Sequence, residues 1–419
     1  RPPRSGSVVP ARRASTARRS ASPAAMSEER PMPTDFAATR ARFRIPEGLV
    51  YLDGNSLGPL PVHAAERVRH ATEDEWGELL IRGWNAAGWM AMPSRLGDRI
   101  GRLIGAEPGH VVVGDTLSIK VYQALAAALE MRPDRKVVLS DTGNFPSDLY
   151  MAEGLIKGLG KGHRLVTVAP EEVEAAIDES VAAVMLTEVG FSTGRKHDMA
   201  ALTRRAHEAG ALAIWDLAHS AGAFPVDLAG CGADFAVGCT YKFLNAGPGA
   251  PAFIYVAPRH ADRAEPALAG WLGHRAPFAF DLAYAAAPGV ERMRVGTPPV
   301  LQMAALDAAL DVFDMVDLAE VGARAAELCE RLIAGVEARV PELRLISPRD
   351  AARRGSQVCF GFDEGYAAMQ ALIARGVIGD FRAPDVMRFG ITPLYIGEAE
   401  IDAAVDHIAA VVGDRLWDA

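Results

Sequence analysis

Cysteine is scarce in this chain. Four of 419 residues are cysteine (Cys231, Cys239, Cys329 and Cys359), and none forms a C-x-x-C pair. A disulfide framework and a cysteine-built metal knuckle are thereby excluded, and a reducing, cytoplasmic setting is expected. Long apolar runs are missing as well. No stretch approaches the roughly 20 apolar residues that span a bilayer, so no membrane partner is expected. No basic stripe stands out and the formal net charge is −9, which argues against nucleic acid as a partner. Acid is absent from residues 1–25, where six arginines sit among serine, alanine and proline. Such a segment is too poor in apolar side chains to pack and is expected to be disordered. It reads either as an Arg-rich transit peptide or, the favoured reading, as an upstream extension ahead of Met26.

What is present is ample core material. Half of the residues are apolar, enough for a large core and two domains. Short apolar runs alternate with helical stretches. A strand, turn and helix are expected over Val111–Leu129, and a second strand then helix over Lys136–Leu155. Further strands are expected at Val181–Leu186, Ala211–Asp216, Phe235–Cys239 and Pro251–Val256, with a helix at Met199–Glu208. This order predicts an α/β fold with a mostly parallel, doubly wound sheet. Ahead of it lie a short helix within residues 35–50, a turn at Tyr51–Pro61, and helices at His63–Leu80 and Pro93–Ile104. From about Pro299 a long helix leads to a smaller α/β domain with strands at Arg344–Ser347, Gln357–Phe362 and Met387–Ile391. Its helices are expected at Tyr366–Arg375 and Ala399–Val412. The expected division is therefore a leader (1–25), an N-terminal arm and helices joining the small domain (26–95), a large domain (96–298) and a small C-terminal domain (299–419).

The stretch Ala211–Gly249 organises the chemistry. One strand ends at Asp216 and the next leads into Thr240-Tyr241-Lys242, with His219 between them and a glycine-rich tail after. Ligands gather at strand ends in such sheets, and Thr187, Asp216 and Lys242 all follow strands. A lysine among small and aromatic residues can hold an aldehyde cofactor, and a carboxylate can face its ring nitrogen. Taken singly, Asp216 is equally a helix cap and Lys242 a surface residue. His219 either reaches the cofactor, orders Asp216 or is structural. Gly114-Asp115-Thr116 opens a helix whose first amides, with the Thr116 hydroxyl and the Leu117 amide, suit a phosphate; an empty cap is the other reading.

The strings D-x-x-H, T-Y-K-F-L-N-x-G-P-G, Y-L-D-G-N-S-L-G and N-F-P-S-D together resemble the fold-type-I pyridoxal-phosphate enzymes of the aminotransferase class V group. Within that group the chain is most similar to the kynureninases, over roughly Phe36–Ala410. The resemblance implies a homodimer with shared active sites that uses pyridoxal 5′-phosphate to hydrolyse L-kynurenine to anthranilate and L-alanine in tryptophan catabolism. It implies that Lys242 holds the cofactor and moves the α-proton, that Asp216 faces the pyridine nitrogen, and that Tyr241 is a general acid. For that last role the ordinary phenol value near 10 would need lowering. Phe145 and Pro146 would lie on the cofactor ring, with Ser147 and Asp148 nearby. Trp271 and Thr297 would reach the phosphate, in this fold often across a dimer interface. Ser56 and Trp84 would contact substrate, and Arg388 would grip its α-carboxylate, as a guanidinium fork fits a carboxylate bidentately. The family has G-W-F-G-H where this chain has Leu272 in place of the phenylalanine. With Trp84 and Thr297 around the substrate ring, plain kynurenine is expected to be preferred over its 3-hydroxy form. A cysteine desulfurase, a transaminase and a silent cofactor-fold protein are the alternatives. The first needs a reactive cysteine on a mobile loop, and the last usually lacks the lysine or its acid.

Overall fold

The computed structural model describes residues 33–418. The leader expected over residues 1–25 and the start expected at Met26 lie outside the described residues. Seven strands form the large sheet: β1 (Val111–Val113), β2 (Val137–Asp141), β3 (Arg164–Val168), β4 (Val181–Thr187), β5 (Leu212–Asp216), β6 (Phe235–Gly238) and β7 (Phe253–Val256). Their spatial order is β1-β7-β6-β5-β4-β2-β3. The pairs β2/β3, β2/β4, β4/β5 and β5/β6 are parallel, whereas β7 runs antiparallel to both β1 and β6. The five central strands are buried from end to end, as their uninterrupted apolar character requires. Trp215 is 1% exposed and donates its indole N–H to Thr203 at 3.0 Å. Burying a side chain of that kind contributes about 1.5–3 kcal/mol.

Sequence and structure differ at identifiable places. The edge strand β3 escaped the pattern reading because its residues are half-buried or exposed and show no clean alternation. The long helix expected from Pro299 is two helices, Val300–Leu310 and Leu318–Arg339. Asp317 separates them by capping the second, its side chain accepting from Ala319 N. The first expected helix shrinks to Phe36–Arg40 before a two-residue strand at Phe43–Arg44.

A second, antiparallel sheet carries β8 (Arg344–Leu345), β9 (Gln357–Gly361), β10 (Asp380–Arg382) and β11 (Val386–Gly390) in the order β8-β9-β11-β10. The N-terminal arm adds to this region. Val50–Tyr51 pairs in parallel with Val377–Ile378, and Asp53 bridges Gly390. The same arm then crosses to the lysine loop, where Gly58 donates its amide to Tyr241 O at 2.8 Å. A Cβ at Gly58 would meet Lys242 O at 2.5 Å, so only glycine allows this approach. Two segments far apart in sequence thus flank the end of β6.

Candidate active site

Three parallel strands end side by side. Thr187 closes β4, Asp216 closes β5, and Lys242 lies in the loop after β6. Register pairs Thr187 with Asp216 directly. Asp216 is 4% exposed and accepts from Ala218 N at 2.9 Å and faces the Thr187 hydroxyl at 3.3 Å. Burial pushes its carboxyl up to about 6, while Lys242 and the two hydrogen bonds hold it down. Asp148 comes from the first turn of helix Pro146–Leu159 and is 2% exposed. Burial and the neighbouring Asp216 push it well above the carboxylate range, opposed by Lys242. Among the described residues neither acid has an ion pair within 4.0 Å.

Lys242 Nζ lies 3.0 Å from His219 Nε2. Burial holds the imidazole well below its ordinary value, with Lys242 and Arg388 adding to the effect. A neutral His219 is therefore the acceptor of a lysine proton, and its buried Nδ1 has no partner. The ammonium also sits 5.9 Å from the centre of the Phe145 ring and 5.8 Å from that of Tyr241. Phe145 precedes the helix in an extended conformation, as its place before Pro146 dictates. Its ring packs edge-on against Phe191 at 5.3 Å. Tyr241 departs from the expected direction. Burial, with Cys239, Asp216 and Asp148 nearby, raises its phenol above the ordinary value instead of lowering it. The hydroxyl is thus a protonated donor across the working pH range.

Thr116 stands exposed at the N-cap of helix Leu117–Met131, and its hydroxyl caps nothing. Ser147 Oγ reaches Ser118 Oγ at 3.1 Å, tying the openings of two helices together. This donor set fits an aldehyde cofactor with a basic ring nitrogen and a phosphate. It offers a lysine, a buried acid lacking a cation, an unpartnered imidazole nitrogen and an open helix N-terminus. Among the described residues no cluster of His, Cys, Asp and Glu could hold a metal ion.

Arg388 and Ser56 meet at 2.9 Å although 332 residues separate them. Arg388 is 1% exposed on β11. Asp380 on β10 clasps it from one side, through Nε at 2.6 Å and through Nη2. Phe191 O accepts from Nη1 at 2.5 Å, and Ser56 Oγ donates to Asp380 at 2.7 Å. Trp84 packs edge-on against Trp89 at 6.1 Å, whereas Trp271 and Thr297 lie exposed at the surface. Leu272 is buried.

Sequence reading missed several residues here. Asp380 is the partner of Arg388, and only the G-D-F-R string before β11 hinted at it. Asn144 accepts from the Thr187 hydroxyl at 2.6 Å and from Phe145 N at 2.7 Å. Gln357 donates to Phe191 O at 3.1 Å. Asn144 stood in the N-F-P-S-D string, but its amide gave no sign of what it would face.

Comparison with known proteins follows this geometry. A model of the kynureninase C-terminal domain matches residues 321–408. A kynureninase of Pseudomonas fluorescens is 49% identical over 389 residues, covering 91% of this chain and 94% of that protein. A kynureninase of Burkholderia pseudomallei (strain 1106a) is 46% identical over 391 residues, covering 92% and 94%. Among solved structures, the apo cysteine desulfurase of Thermococcus onnurineus NA1 matches with a TM-score of 0.77 at 18% identity, over 90% of this chain and 98% of that one. The complex of a cystine C–S lyase with its product cysteine persulfide matches at 0.71 and 19%, over 87% and 98%. At such identity these two speak for the fold alone, the fold-type-I architecture of the class V group. Desulfurase chemistry finds no support in Cys359, which is fully buried in β9 with its thiol pushed up to about 11 by burial. Near-half identity runs through almost the whole of both proteins, and the chain belongs to the kynureninase family.

Proposed function

We propose that this enzyme hydrolyses L-kynurenine to anthranilate and L-alanine in tryptophan catabolism, with plain kynurenine preferred to 3-hydroxy-L-kynurenine. The observation that carries the reading is the buried pair Asp148 and Asp216 beside Lys242, in a chain nearly half identical to kynureninases. Pyridoxal 5′-phosphate, bound at Lys242, supplies an electron sink for the substrate α-carbon. Asp216 would keep a proton on the pyridine nitrogen, because a cation opposite it would relieve the cost of its buried charge. Thr187 and His219 order Asp216 and Lys242. Thr116, Leu117 and Ser147 would receive the phosphate, and Phe145 with Pro146 would cover the ring.

Arg388 would hold the α-carboxylate, with Asp380 fixing the guanidinium; Ser56, whose hydroxyl donates to Asp380 here, would exchange that bond to reach the substrate. Lys242 Nζ takes the α-proton and returns it. Tyr241 would donate a proton to the alanine half once the Cβ–Cγ bond has broken, and its phenol, raised here by burial, would have to come down for that step. One water is consumed: its oxygen enters the anthranilate carboxylate and its hydrogens balance the two products.

We read the active enzyme as a cytoplasmic homodimer. Its four cysteines are free, and Phe280 and Leu282, 74% and 106% exposed, leave an apolar loop uncovered beside Trp271. A second chain would bring Trp271 and Thr297 to the phosphate.

The deciding experiment is product analysis after mixing protein, cofactor and L-kynurenine, with anthranilate and alanine expected in equal amounts. Borohydride reduction followed by peptide mapping should label Lys242, and a label elsewhere overturns the assignment. Substrate choice rests on Trp84 and Thr297. An indole offers no acceptor to a ring hydroxyl, and burying that hydroxyl unpartnered costs roughly 1–3 kcal/mol, or about 5- to 150-fold in kcat/KM. Trp84→His with Thr297→Asn should narrow or reverse the preference. Equal use of both substrates by the unaltered enzyme refutes this role for Trp84.

A further inference from the structure

One buried charge plays no part in the chemistry above. Lys120, one turn into helix Leu117–Met131, is 1% exposed, and all three of its N–H donors are used. They go to Asp115 Oδ2 at 2.9 Å, Gln123 Oε1 at 2.9 Å and Met293 O at 3.0 Å. Gln123 also donates to Met293 O, at 3.1 Å. Asp115 is the one carboxylate in this set, and its backbone is unusual. Its φ is 56°, in the left-handed region that residues other than glycine seldom adopt, although aspartate is among the better tolerated. Asp115 immediately precedes Thr116, and its carbonyl accepts from Ala252 N at 3.0 Å. A return of Asp115 to negative φ would re-aim the peptides on either side of it.

We propose that the buried Lys120 and the half-buried Asp115 form a clamp that holds the turn ahead of helix Leu117–Met131, so that Thr116 and Leu117 face the cofactor phosphate. Lys120 is a positioning residue: it acts through Asp115 and touches no reacting atom. Burial lowers the lysine, and the Asp115 carboxylate 2.9 Å away opposes that shift. The bond to Met293 O extends the clamp to the segment that ends in Thr297. In the homodimer read above, one ammonium would thereby link the turn at this chain's own seat to the segment that this chain offers to its partner's seat. The inference rests on the reading of Thr116 and Leu117 as that seat.

The test measures binding of pyridoxal 5′-phosphate and of pyridoxal, which lacks the phosphate, to the full-length apo-protein. Unaltered protein should prefer the phosphorylated form. Equal binding of the two by unaltered protein removes the seat and the clamp together. Lys120→Met should weaken pyridoxal phosphate by about tenfold or more, the scale of a released strained residue, and leave pyridoxal unchanged. Adding Asp115→Gly should restore much of the loss, because glycine adopts the left-handed turn unaided and no lone acid remains. Asp115→Asn, which tolerates the same turn and keeps a bond to Lys120, should stay near the unaltered affinity, whereas Asp115→Ala should fall like Lys120→Met. These aspartate variants decide the matter if Lys120→Met does not fold. Equal loss for both ligands, a normal Asp115→Ala, or no rescue by glycine overturns the clamp while the seat stands.

Discussion

Two aspartates at opposite ends of neighbouring strands are buried to a similar degree and treated in opposite ways. Asp234, 1% exposed just ahead of β6, is surrounded by His207 at 2.8 Å, His260 at 2.7 Å and Arg259 at 2.6 Å. Although burial alone would raise it, these partners and Ala213 N hold its carboxyl well below the usual range. Asp216, at the far end of β5, has no ion pair among the described residues and is pushed up to about 6. The fold can neutralise a buried acid and does so where nothing is to bind. At the lysine end the compensating cation is left to the ligand. A buried acid without a counter-charge thus marks a functional site more sharply than a buried acid as such.

The comparison predicts that removing the two acids damages different properties. Asp216→Ala should lower turnover by about 10³-fold or more, the scale of losing a group placed against developing charge. Steady-state rates near normal would sink its role. Asp234→Ala should leave Arg259 and the imidazoles of His207 and His260 facing a gap without their common partner, at a cost of about 3 kcal/mol of stability, with kcat in the folded fraction unchanged. Its folded pKa is depressed, so the stabilising contribution is present above the unfolded value of about 3.9 and lost as pH falls below it. The denaturation midpoints of Asp234→Ala and unaltered protein should therefore converge in acid.

Smaller effects sharpen the contrast. Tyr241→Phe should reduce kcat by about 100-fold with little change in KM, as expected for loss of a general acid. A fall in KM affinity alone would place the hydroxyl in binding instead. Asp216→Asn should stabilise the apo-protein at pH 8, by at most about 3 kcal/mol. Here the folded pKa is raised: stability is present below about 3.9 and lost as pH rises through about 6, so the gain should fade on acidification. Saturating cofactor should reverse the sign. An apo-protein of unchanged or lower stability at pH 8 would show that Asp216 is already compensated.

Much of this was legible from sequence, and the reasons are local. Asp216 and Lys242 follow apolar runs that can only be buried strands. Phe145 precedes a proline that forces it to be extended. Asp317 could have been read as a cap, since L-A-E follows it, yet the surrounding apolar residues suggested an unbroken helix. The antiparallel direction of β7 was not legible, because a four-residue buried strand looks the same in either direction.

The sequence by itself determined where the strand ends, prolines and helix openings fall, and so which residues are candidates for the chemistry, because these signals act over a few residues and leave a local pattern. Tertiary structure alone decided their partners and their charge states. Asp380 clasps Arg388 through a strand pairing, Ser56 reaches it from an arm 332 residues away, and Asn144 sets the Thr187 hydroxyl from the turn after a neighbouring strand. The upward shift of Tyr241 and the difference between Asp216 and Asp234 come from burial and from charges brought close by folding. Desolvation and Coulomb energies depend on distance in space, and distance along the chain does not encode them.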